Sequence, residues 1–256
     1  MIRAALADLG VRPDDTLFVH SDMSRWVRLA GGGRSGRLAT VLDGLRGAAA
    51  RGTVMMPTFT YSFCEGRSFH RAGSPSTVGA LTEYFRRRPG VRRTADPLFS
   101  AAILGPVSAA WESALFAVCD KDCFGDRSVF AYLLWSNAAV VFLGSDPDDC
   151  TFLLHVEQLE QVPYRYFKEF RGEVTDGEPA REVTARYFVR DLDADVVSFL
   201  RPLMDALRDR RELVERQLDG GPTIGVARAR AIASAARAGL RANPDYLLTR
   251  GHRATV

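Results

Sequence analysis

The chain has 256 residues, of which 34 are Lys or Arg and 31 are Asp or Glu, for a formal net charge of +3. This small, scattered excess of charge excludes a nucleic-acid-binding surface, and a hydrophobic share of 46% is ordinary for a globular protein. The length suits one large domain with a smaller appendage.

The sequence shows neither a targeting signal nor cysteines spaced for a metal. No stretch approaches the ~20 apolar residues of a membrane span, and the N-terminus lacks the apolar core of a signal peptide. We therefore expect a cytoplasmic protein that binds neither membranes nor nucleic acid. The spacing of the four cysteines fits no zinc site, so we expect no bound metal. In a cytoplasmic protein we expect these thiols to be reduced: Cys64, Cys119, Cys123 and Cys150.

The first quarter of the sequence predicts a β–α–β unit. Apolar residues at helical spacing over residues 2–9 predict a helix that Gly10 ends. A strand over 16–21, a helix over 38–50 and a strand over 53–60 follow. Because the two strands bracket a helix, they are expected to pair in parallel.

Polar residues follow the first of these strands. His20, Ser21 and Asp22 lie where that strand ends, and ligands collect at the carboxyl ends of strands in open α/β sheets. A core histidine and a helix-capping serine are the alternatives for His20 and Ser21. The glycine-rich segment 31–36 lacks the Lys-Ser/Thr of a phosphate-binding loop, so we expect a flexible turn there.

The middle of the chain alternates helices with loops and strands. We predict helices over 80–88, 111–118 and 129–135, the last capped by Ser128, and a strand after Asp96 and Ser100 that runs to Gly105. Five arginines form the densest basic cluster, which either meets a phosphate group or is a solvated face: Arg86, Arg87, Arg88, Arg92 and Arg93.

A histidine follows the most apolar strand, over residues 138–144. Thr151 is expected to cap the next helix, which carries His155, Glu157 and Glu160. A titratable imidazole near carboxylates, just beyond a buried strand, favours proton-transfer chemistry. The alternative is a solvated helix face with an incidental histidine.

The C-terminal third changes in composition. We predict a hairpin of strands over 170–174 and 185–190, a long helix over 195–217, a helix over 227–240 and a frayed tail over 251–256. These elements suggest a core domain of residues 1–168, against which residues 169–256 pack as a hairpin and helical part of the same domain.

Seven segments, in order, resemble the antibiotic N-acetyltransferase family, whose best-known members are the aminoglycoside 3-N-acetyltransferases. The matching residues cover nearly the whole chain: Val19 to Asp22; Gly52 to Thr60; Ser74 to Gly79 with Phe85 to Val91; Asp96 to Ser100 with Ala101 to Gly105; Phe124-Gly125 with Ser128; Leu143-Gly144 with Thr151, His155 and Glu157; and Gly225 with the helix after it.

The resemblance implies an α/β fold with a three-layer α/β/α arrangement and a central mixed sheet, distinct from the common acetyltransferase fold with splayed strands. It also implies transfer of an acetyl group from acetyl-CoA to an amine, usually of an amino sugar. The resemblance further implies a histidine general base with an acidic partner, for which His155 and Glu157 are the candidates here. The residues expected to line the coenzyme and acyl site are His20, Ser21, Thr58, Ser100 and Thr151.

Two departures from the family pattern add acid near the expected site. Asp22 replaces the second of two serines, and Asp96 replaces the histidine of a His-Pro pair. Both fit a cationic amine substrate, so we assign Asp22 and Asp96 to the acceptor side. Tyr164 and Arg165 are further acceptor candidates, with Arg165 able to hold a phosphate or carboxylate. The alternative for Arg165 is a structural pair with Glu160 or Glu169.

A third departure concerns the base itself. In the family pattern the histidine lies three residues after the threonine and three before the glutamate, but here Leu154 takes that position and His155 follows it. Residues two apart on a regular helix point about 200° apart, so His155 and Glu157 should not face each other. Either the helix begins irregularly, or another acid (Asp22, Asp96 or Glu65) orients His155, or the base is lost.

We therefore expect an acetyl-CoA-dependent N-acetyltransferase that acts on an aminoglycoside-like or nucleotide-linked amino sugar by direct transfer in a ternary complex. The alternatives are a catalytically impaired ligand-binding relative and a hydrolase that uses the same histidine. A covalent route through Cys150 also stays open, as does a homodimer.

Overall fold

The computed structural model describes residues 1–26, 33–176, 179–191, 193 and 196–250, the side chain of residue 250 excepted. Its helices are α1 (Ile2–Asp8), α2 (Arg34–Ala48), α3 (Ala80–Arg86), α4 (Ala109–Phe116), α5 (Val129–Ser136), α6 (Leu153–Leu159), α7 (Arg201–Asp209) and α8 (Ala229–Ala242). Its strands are β1 (Thr16–Ser21), β2 (Thr53–Pro57), β3 (Phe69–His70), β4 (Arg92–Arg93), β5 (Ala101–Leu104), β6 (Lys121–Asp122), β7 (Ala139–Leu143), β8 (Arg165–Thr175), β9 (Arg181–Arg190), β10 (Val196–Ser198), β11 (Leu213–Gln217), β12 (Thr223–Arg228) and β13 (Leu248–Arg250).

A seven-stranded mixed sheet lies at the centre, with the strand order β11-β12-β7-β1-β2-β5-β4. The strands β2 and β7 both run parallel to β1, whereas the outer neighbours β5 and β12 run antiparallel to them. The predicted parallel pair around α2 is therefore confirmed. The carboxyl ends of β1, β2 and β7 meet at one edge of the sheet.

Each face of this sheet buries its own hydrophobic core. Leu17 and Val19 of β1 pack in the core that includes residues of α1, α2 and α3, whereas Phe18, between them, packs in the core that includes residues of α5, α6, α7 and α8. Successive side chains of a strand point to opposite faces, so covering both faces requires a buried, nearly continuous apolar sequence. The predicted three-layer α/β/α arrangement with a central mixed sheet is confirmed.

A second, four-stranded sheet lies on the side of the core around Phe18, in the order β3-β8-β9-β6. Its long antiparallel hairpin, β8 and β9, buries Val174, Val183, Ala185 and Phe188. The expected division at residue 168 falls inside β8, and β11 and β12 of the C-terminal part complete the central sheet.

Several local predictions are confirmed. The strand β1 has the predicted bounds, and α5 begins at the predicted residue, where Ser128 Oγ accepts a hydrogen bond from the Ala131 amide at 3.1 Å.

No helix among the described residues is long and apolar enough to cross a bilayer. The tail 251–256 and residues 31–32 of the glycine-rich segment lie outside the described residues. Residues 34–36 of that segment belong to the first turn of α2, so the helix begins earlier than the predicted residue 38.

The prediction of one long helix over 195–217 is wrong. Residue 195 lies outside the described residues, and the segment from 196 onwards divides into β10, α7 and β11. The helix α7 ends before Arg211, whose φ of +56° is left-handed, and Leu213 is then buried in β11. The strand β12, also not predicted, supplies the backbone partner of β11. Pairing along the sheet edge thus overrides a charged sequence with helical spacing.

The end of β7 is held by a tight contact. The Trp26 indole, fully buried, donates to the Leu143 carbonyl at 3.2 Å, and Gly144 follows with a φ of +74°. A Cβ at Gly144 would lie 2.7 Å from Trp26 Nε1 and 3.1 Å from the Asp22 carbonyl oxygen. The chain can therefore leave β7 in this direction only with a glycine.

We expect Gly144→Ala to lower the free energy of unfolding by about 3 kcal/mol, because left-handed strain and steric displacement of Trp26 add together. Urea unfolding at 25 °C measures this loss. Gly10→Ala is the matched control: Gly10 has a similar φ of +83°, and a Cβ there would meet nothing within 4 Å. Its loss should be about 1 kcal/mol. Equal losses for the two variants would contradict the proposed role of the Trp26 contact.

Candidate active site

Three predicted site segments meet at the carboxyl edge of the parallel strands. His20 and Ser21 of β1 pair in register with Phe142 and Leu143 of β7, and Thr58 directly follows β2. The loop from β7 to α6 leaves from the same edge. The sheet thus brings together residues that lie more than 120 positions apart in sequence.

His20 is a packing residue with one unused nitrogen. Its ring stacks on Phe142 at 5.6 Å and meets the Phe18 ring edge-on at 5.1 Å. Burial lowers the pKa of His20 to about 4, so its ring is neutral at pH 7. The Nε2 atom of His20 and the hydroxyl of Ser21 are buried without a hydrogen-bond partner among the described residues.

Thr58 and Ser100 hold each other. The Thr58 amide donates to the Ser100 carbonyl at 2.8 Å, and the Ser100 hydroxyl donates to the Thr58 carbonyl at 2.9 Å. The Thr58 hydroxyl lies 3.1 Å from the Ser100 carbonyl oxygen and 3.2 Å from the Ser100 hydroxyl. Both side chains are fully buried. They therefore form a fixed polar wall that joins β2 to the segment before β5.

The helix α6 begins irregularly. The amides of residues 153–155 each donate, at 3.2 Å, to the carbonyl three residues earlier, which is the tighter 3₁₀ pattern. Phe152 is the N-cap residue, and the predicted cap by Thr151 is wrong. Because the first turn is tight, the Thr151 hydroxyl meets no backbone amide and is buried without a partner among the described residues.

The His155 ring is buried and oriented by a main-chain carbonyl. Its Nδ1 lies 2.6 Å from the Phe124 carbonyl oxygen, which can only accept, so Nδ1 carries the proton. The Nε2 atom has no hydrogen-bond partner among the described residues. Burial lowers the pKa of His155, while the Phe124 carbonyl, Asp126 and Asp122 oppose that shift. His155 is thus a neutral imidazole with a free lone pair.

An aromatic group holds the Phe124 carbonyl in place. The Phe124 ring lies 4.6 Å from Phe99 and 5.5 Å from Tyr187 of β9, and Tyr61 meets Phe99 at 6.1 Å. Phe124 is fully buried, whereas Tyr61 is 44% exposed. Rigid ring packing between the hairpin and the core therefore fixes the acceptor on which the His155 orientation depends.

Glu157 does not meet His155. Tyr164 donates its hydroxyl to Glu157 Oε1 at 2.9 Å, and Arg165 Nη2 lies 3.0 Å from Glu157 Oε2. Burial raises the pKa of Glu157, and Arg165 and the Tyr164 hydroxyl oppose that shift. Both carboxylate oxygens are thus used within a buried network that ties α6 to the start of β8, as the two-residue separation from His155 predicts.

Arg165 is enclosed within this network. Its side chain is 6% exposed, and besides Glu157 it donates to the Phe188 carbonyl at 3.3 Å. The partner is neither Glu160 nor Glu169, the two acids considered from the sequence. Two arginines of α8, Arg237 and Arg241, hold Glu160 instead. Tyr164 is 6% exposed, so both acceptor candidates are buried in this structure.

The two added acids differ in exposure. Asp22 is half-exposed. Its Oδ1 accepts hydrogen bonds from the Ser24 amide, at 2.9 Å, and from the Ser24 hydroxyl. The bond from the Ser24 hydroxyl lowers the pKa of Asp22. Asp96 is buried, and its Oδ1 accepts from the amides of residues 98–99 at 2.8 Å. Burial raises the pKa of Asp96, against those two bonds. Asp22 is therefore the acid presented to solvent.

Two acids beside His155 were not singled out from the sequence. Asp122 accepts from Gln158 Nε2 at 2.8 Å and lies 3.6 Å from Arg186, and Asp126 follows in the same loop. The only sequence signal was the family-like Phe124-Gly pair, since 31 residues separate Phe124 from His155. No group of three or more His, Cys, Asp or Glu residues within the described ranges is arranged to hold a metal ion.

Chemically, the residues described above offer a proton acceptor and hydrogen-bond donors. The His155 Nε2 can take a proton, and the unpartnered hydroxyls of Ser21 and Thr151 can each donate to an oxygen anion.

Known proteins resemble this chain in sequence. A family model described as aminoglycoside 3-N-acetyltransferase matches residues 18–241. Over 186 residues the chain is 31% identical to aminoglycoside N(3)-acetyltransferase IX of Micromonospora chalcea, which covers 65% of this chain and 63% of that protein. Over 200 residues it is 30% identical to aminoglycoside N(3)-acetyltransferase VII of Streptomyces paromomycinus. That alignment covers 68% of this chain and 65% of the relative. The chain thus spans slightly less than two thirds of these relatives.

Solved structures share the fold. Aminoglycoside acetyltransferase AAC(3)-Xa superposes with a TM-score of 0.78 at 24% identity, over 96% of this chain and 92% of that one. AAC-IIIb, in a binary complex with CoASH, superposes with a TM-score of 0.78 at 22% identity. That superposition covers 99% of this chain and 97% of AAC-IIIb. The family match over most of the sequence and the shared fold agree, and the chain belongs to the aminoglycoside 3-N-acetyltransferase family.

Proposed function

We propose that this protein transfers the acetyl group of acetyl-CoA to an amino group of an amino sugar, with His155 as the general base. One observation carries the proposal. The Phe124 carbonyl holds the His155 Nδ1–H, so Nε2 keeps its lone pair, and the loop that leads to α6 leaves from the edge where the strand ends meet. The lowered pKa of His155 keeps that nitrogen unprotonated at neutral pH.

In the proposed reaction the neutral amine attacks the thioester carbonyl carbon. A C–N bond forms and the C–S bond breaks, so the coenzyme leaves as a thiolate and the amine proton passes to His155 Nε2. The resulting imidazolium is stabilised by the Phe124 carbonyl on Nδ1 and by the nearby charges of Asp122 and Asp126. Glu157 is already bonded to Tyr164 and Arg165, so the proposal assigns it no direct proton transfer.

The acyl donor is proposed to lie against the polar atoms of the strand edge. Ser21 and Thr151 have free buried hydroxyls that can donate to the developing oxyanion, an effect worth about 3 kcal/mol per donor. The Thr58 and Ser100 pair, whose hydroxyls are already engaged, forms the wall beside the acyl group. His20 contributes its ring as packing and its unpartnered Nε2 as a further polar atom.

The acceptor is proposed to be a polycationic aminoglycoside. Solved structures of the same fold are described with apramycin, a gentamicin or sisomicin bound. The Asp22 carboxylate is half-exposed and lies 3.5 Å from the exposed Arg25 side chain, so a sugar ammonium group can compete for this loose pair. Nucleotide-linked amino sugars are the second class to test. Their phosphates lack support from Arg165, because Glu157 already pairs with it.

Direct transfer is favoured over an acyl-enzyme intermediate. Cys150, the nearest cysteine in sequence to His155, is 3% exposed, and burial raises its pKa to about 12. A buried thiol with so little thiolate at neutral pH is a poor nucleophile. Acetyl-CoA and the amine should therefore bind together before transfer.

The test is acetyl-CoA turnover, followed by release of the coenzyme thiol, with apramycin, gentamicin, sisomicin and a nucleotide-linked amino sugar as acceptors. We expect turnover with the aminoglycosides and intersecting double-reciprocal plots. His155→Ala should lower kcat by about 10²-fold or more, since a general base contributes that much.

His70→Ala is the matched control, because His70 is an exposed histidine on β3, and its kcat should be unchanged. A His155→Ala enzyme with full kcat would contradict the proposed base, and parallel plots would contradict direct transfer. Coenzyme binding without turnover of any acceptor would favour an impaired relative. Release of product from a simple ester without coenzyme would favour a hydrolase.

The donor and acceptor sides should respond to different substitutions. Thr151→Val removes one hydroxyl at constant size and should lower kcat by about tenfold or more, with the amine KM little changed.

Asp22→Asn should raise the amine KM several-fold, since it removes an exposed charge worth about 1 kcal/mol to a cation, while the acetyl-CoA KM stays constant. Steady-state kinetics with each substrate varied in turn measure both.

The control for Asp22→Asn is Asp43→Asn, which neutralises an exposed acid of α2 that lies beside the opposite edge of the sheet. It should change neither KM. If Asp22→Asn alters the two KM values equally, Asp22 does not belong to the acceptor side.

A further inference from the structure

Arg93 is a buried cation surrounded by neutral oxygens. It lies on β4, at the edge of the central sheet, and is only 7% exposed. Its guanidinium forms no ion pair with any carboxylate in the part of the chain that the structure describes. Burial, with the charge of Arg86, lowers the pKa of Arg93 to about 10. Keeping a charge in such a place is costly unless every donor is satisfied.

The guanidinium satisfies its donors with neutral oxygens of several loops. Nε donates to the Ser100 hydroxyl at 2.9 Å, and Nη2 donates to the Thr60 hydroxyl at 2.7 Å and to the Thr58 carbonyl. Nη1 donates to two more carbonyls, those of Ser74 and Arg71. The guanidinium also lies 4.8 Å from the centre of the Phe69 ring.

These acceptors come from three segments that are separate in sequence. Thr58 and Thr60 follow β2, Ser74 precedes α3, and Ser100 precedes β5. A planar fork with five N–H donors can hold such a divergent set in one geometry, whereas an ammonium group cannot. The side chain of Arg93 therefore adds a second link to the Thr58–Ser100 wall, whose two halves already bond to each other, and ties that wall to the loop of Ser74.

We infer that Arg93 is a positioning residue for the acyl-donor side of the site. It fixes the Thr58–Ser100 wall against which the coenzyme thioester lies, without touching the reacting atoms. This inference rests on the proposed function, which assigns that wall to the coenzyme. It also differs from the sequence-based alternatives, in which Arg93 belonged either to a phosphate site or to a solvated basic face.

The test compares Arg93→Lys with Arg92→Lys. Arg92 is the neighbouring residue on β4, but it is exposed and pairs with Glu112, so its replacement controls for the loss of a guanidinium on this strand. Calorimetric titration with coenzyme A measures binding without any amine. We expect Arg93→Lys to weaken coenzyme binding by about tenfold or more, because a small displacement of the wall is sufficient. Arg92→Lys should bind like the wild type, and neither variant should change the amine KM.

A purely structural brace would behave differently. If Arg93→Lys lowers the thermal unfolding temperature but binds coenzyme A with wild-type affinity, the inference is wrong. Should Arg93→Lys fail to fold, Thr60→Val removes only one acceptor of the guanidinium and should weaken coenzyme binding by a smaller factor. Unchanged binding in that variant would also overturn the inference. A wild-type protein that binds no coenzyme A would instead overturn the proposed function, and this inference with it.

Discussion

The parallel pairing of β1 with both β2 and β7 is the constraint on which the candidate site depends. Parallel strands place their carboxyl ends at one edge, so the polar residues after each strand meet there although they are distant in sequence. The contact between Trp26 and the Leu143 carbonyl, together with Gly144, then directs the chain from β7 towards α6. The position of His155 follows from this path.

Two buried polar groups near this edge are stabilised in contrasting ways. Glu157 has a cation and a phenol as partners, which leaves no oxygen for His155. His155 is instead oriented by a neutral carbonyl, which fixes the same tautomer that a carboxylate would but stabilises an imidazolium less. Asp122 and Asp126 supply charge from a greater distance. In this chain a carbonyl and longer-range electrostatics, rather than a directly bonded carboxylate, orient and stabilise the imidazole.

Local signals in the sequence predicted local structure well. The bounds of β1, the Ser128 cap of α5 and the β–α–β unit follow from apolar periodicity and capping chemistry. The helical spacing of His155 and Glu157 correctly implied that the two side chains do not meet. These predictions depend on neighbouring residues alone, which is why they succeed.

Long-range contacts were not predictable in the same way. The sequence of β11 is charged and continues the helical spacing of α7, and this segment is a strand because β12 pairs with it. The carbonyl that orients His155 comes from Phe124, and the cation that joins Thr58 to Ser100 comes from a run of arginines that also fits a solvated face. Side-chain bonds to main-chain carbonyls leave no residue pattern, so neither Phe124 nor Arg93 could be assigned its role from sequence.

The central claim is that His155 is neutral, with its proton on Nδ1 and a free Nε2. Nitrogen-15 NMR of the histidine rings, assigned by comparison with His155→Ala, tests it directly. We predict the Nδ1–H tautomer at pH 7, with protonation of Nε2 as the pH falls and a midpoint below the ordinary histidine value of about 6.5, because burial disfavours the charged ring. An Nε2–H tautomer, or a ring that is doubly protonated at pH 7, would contradict the account.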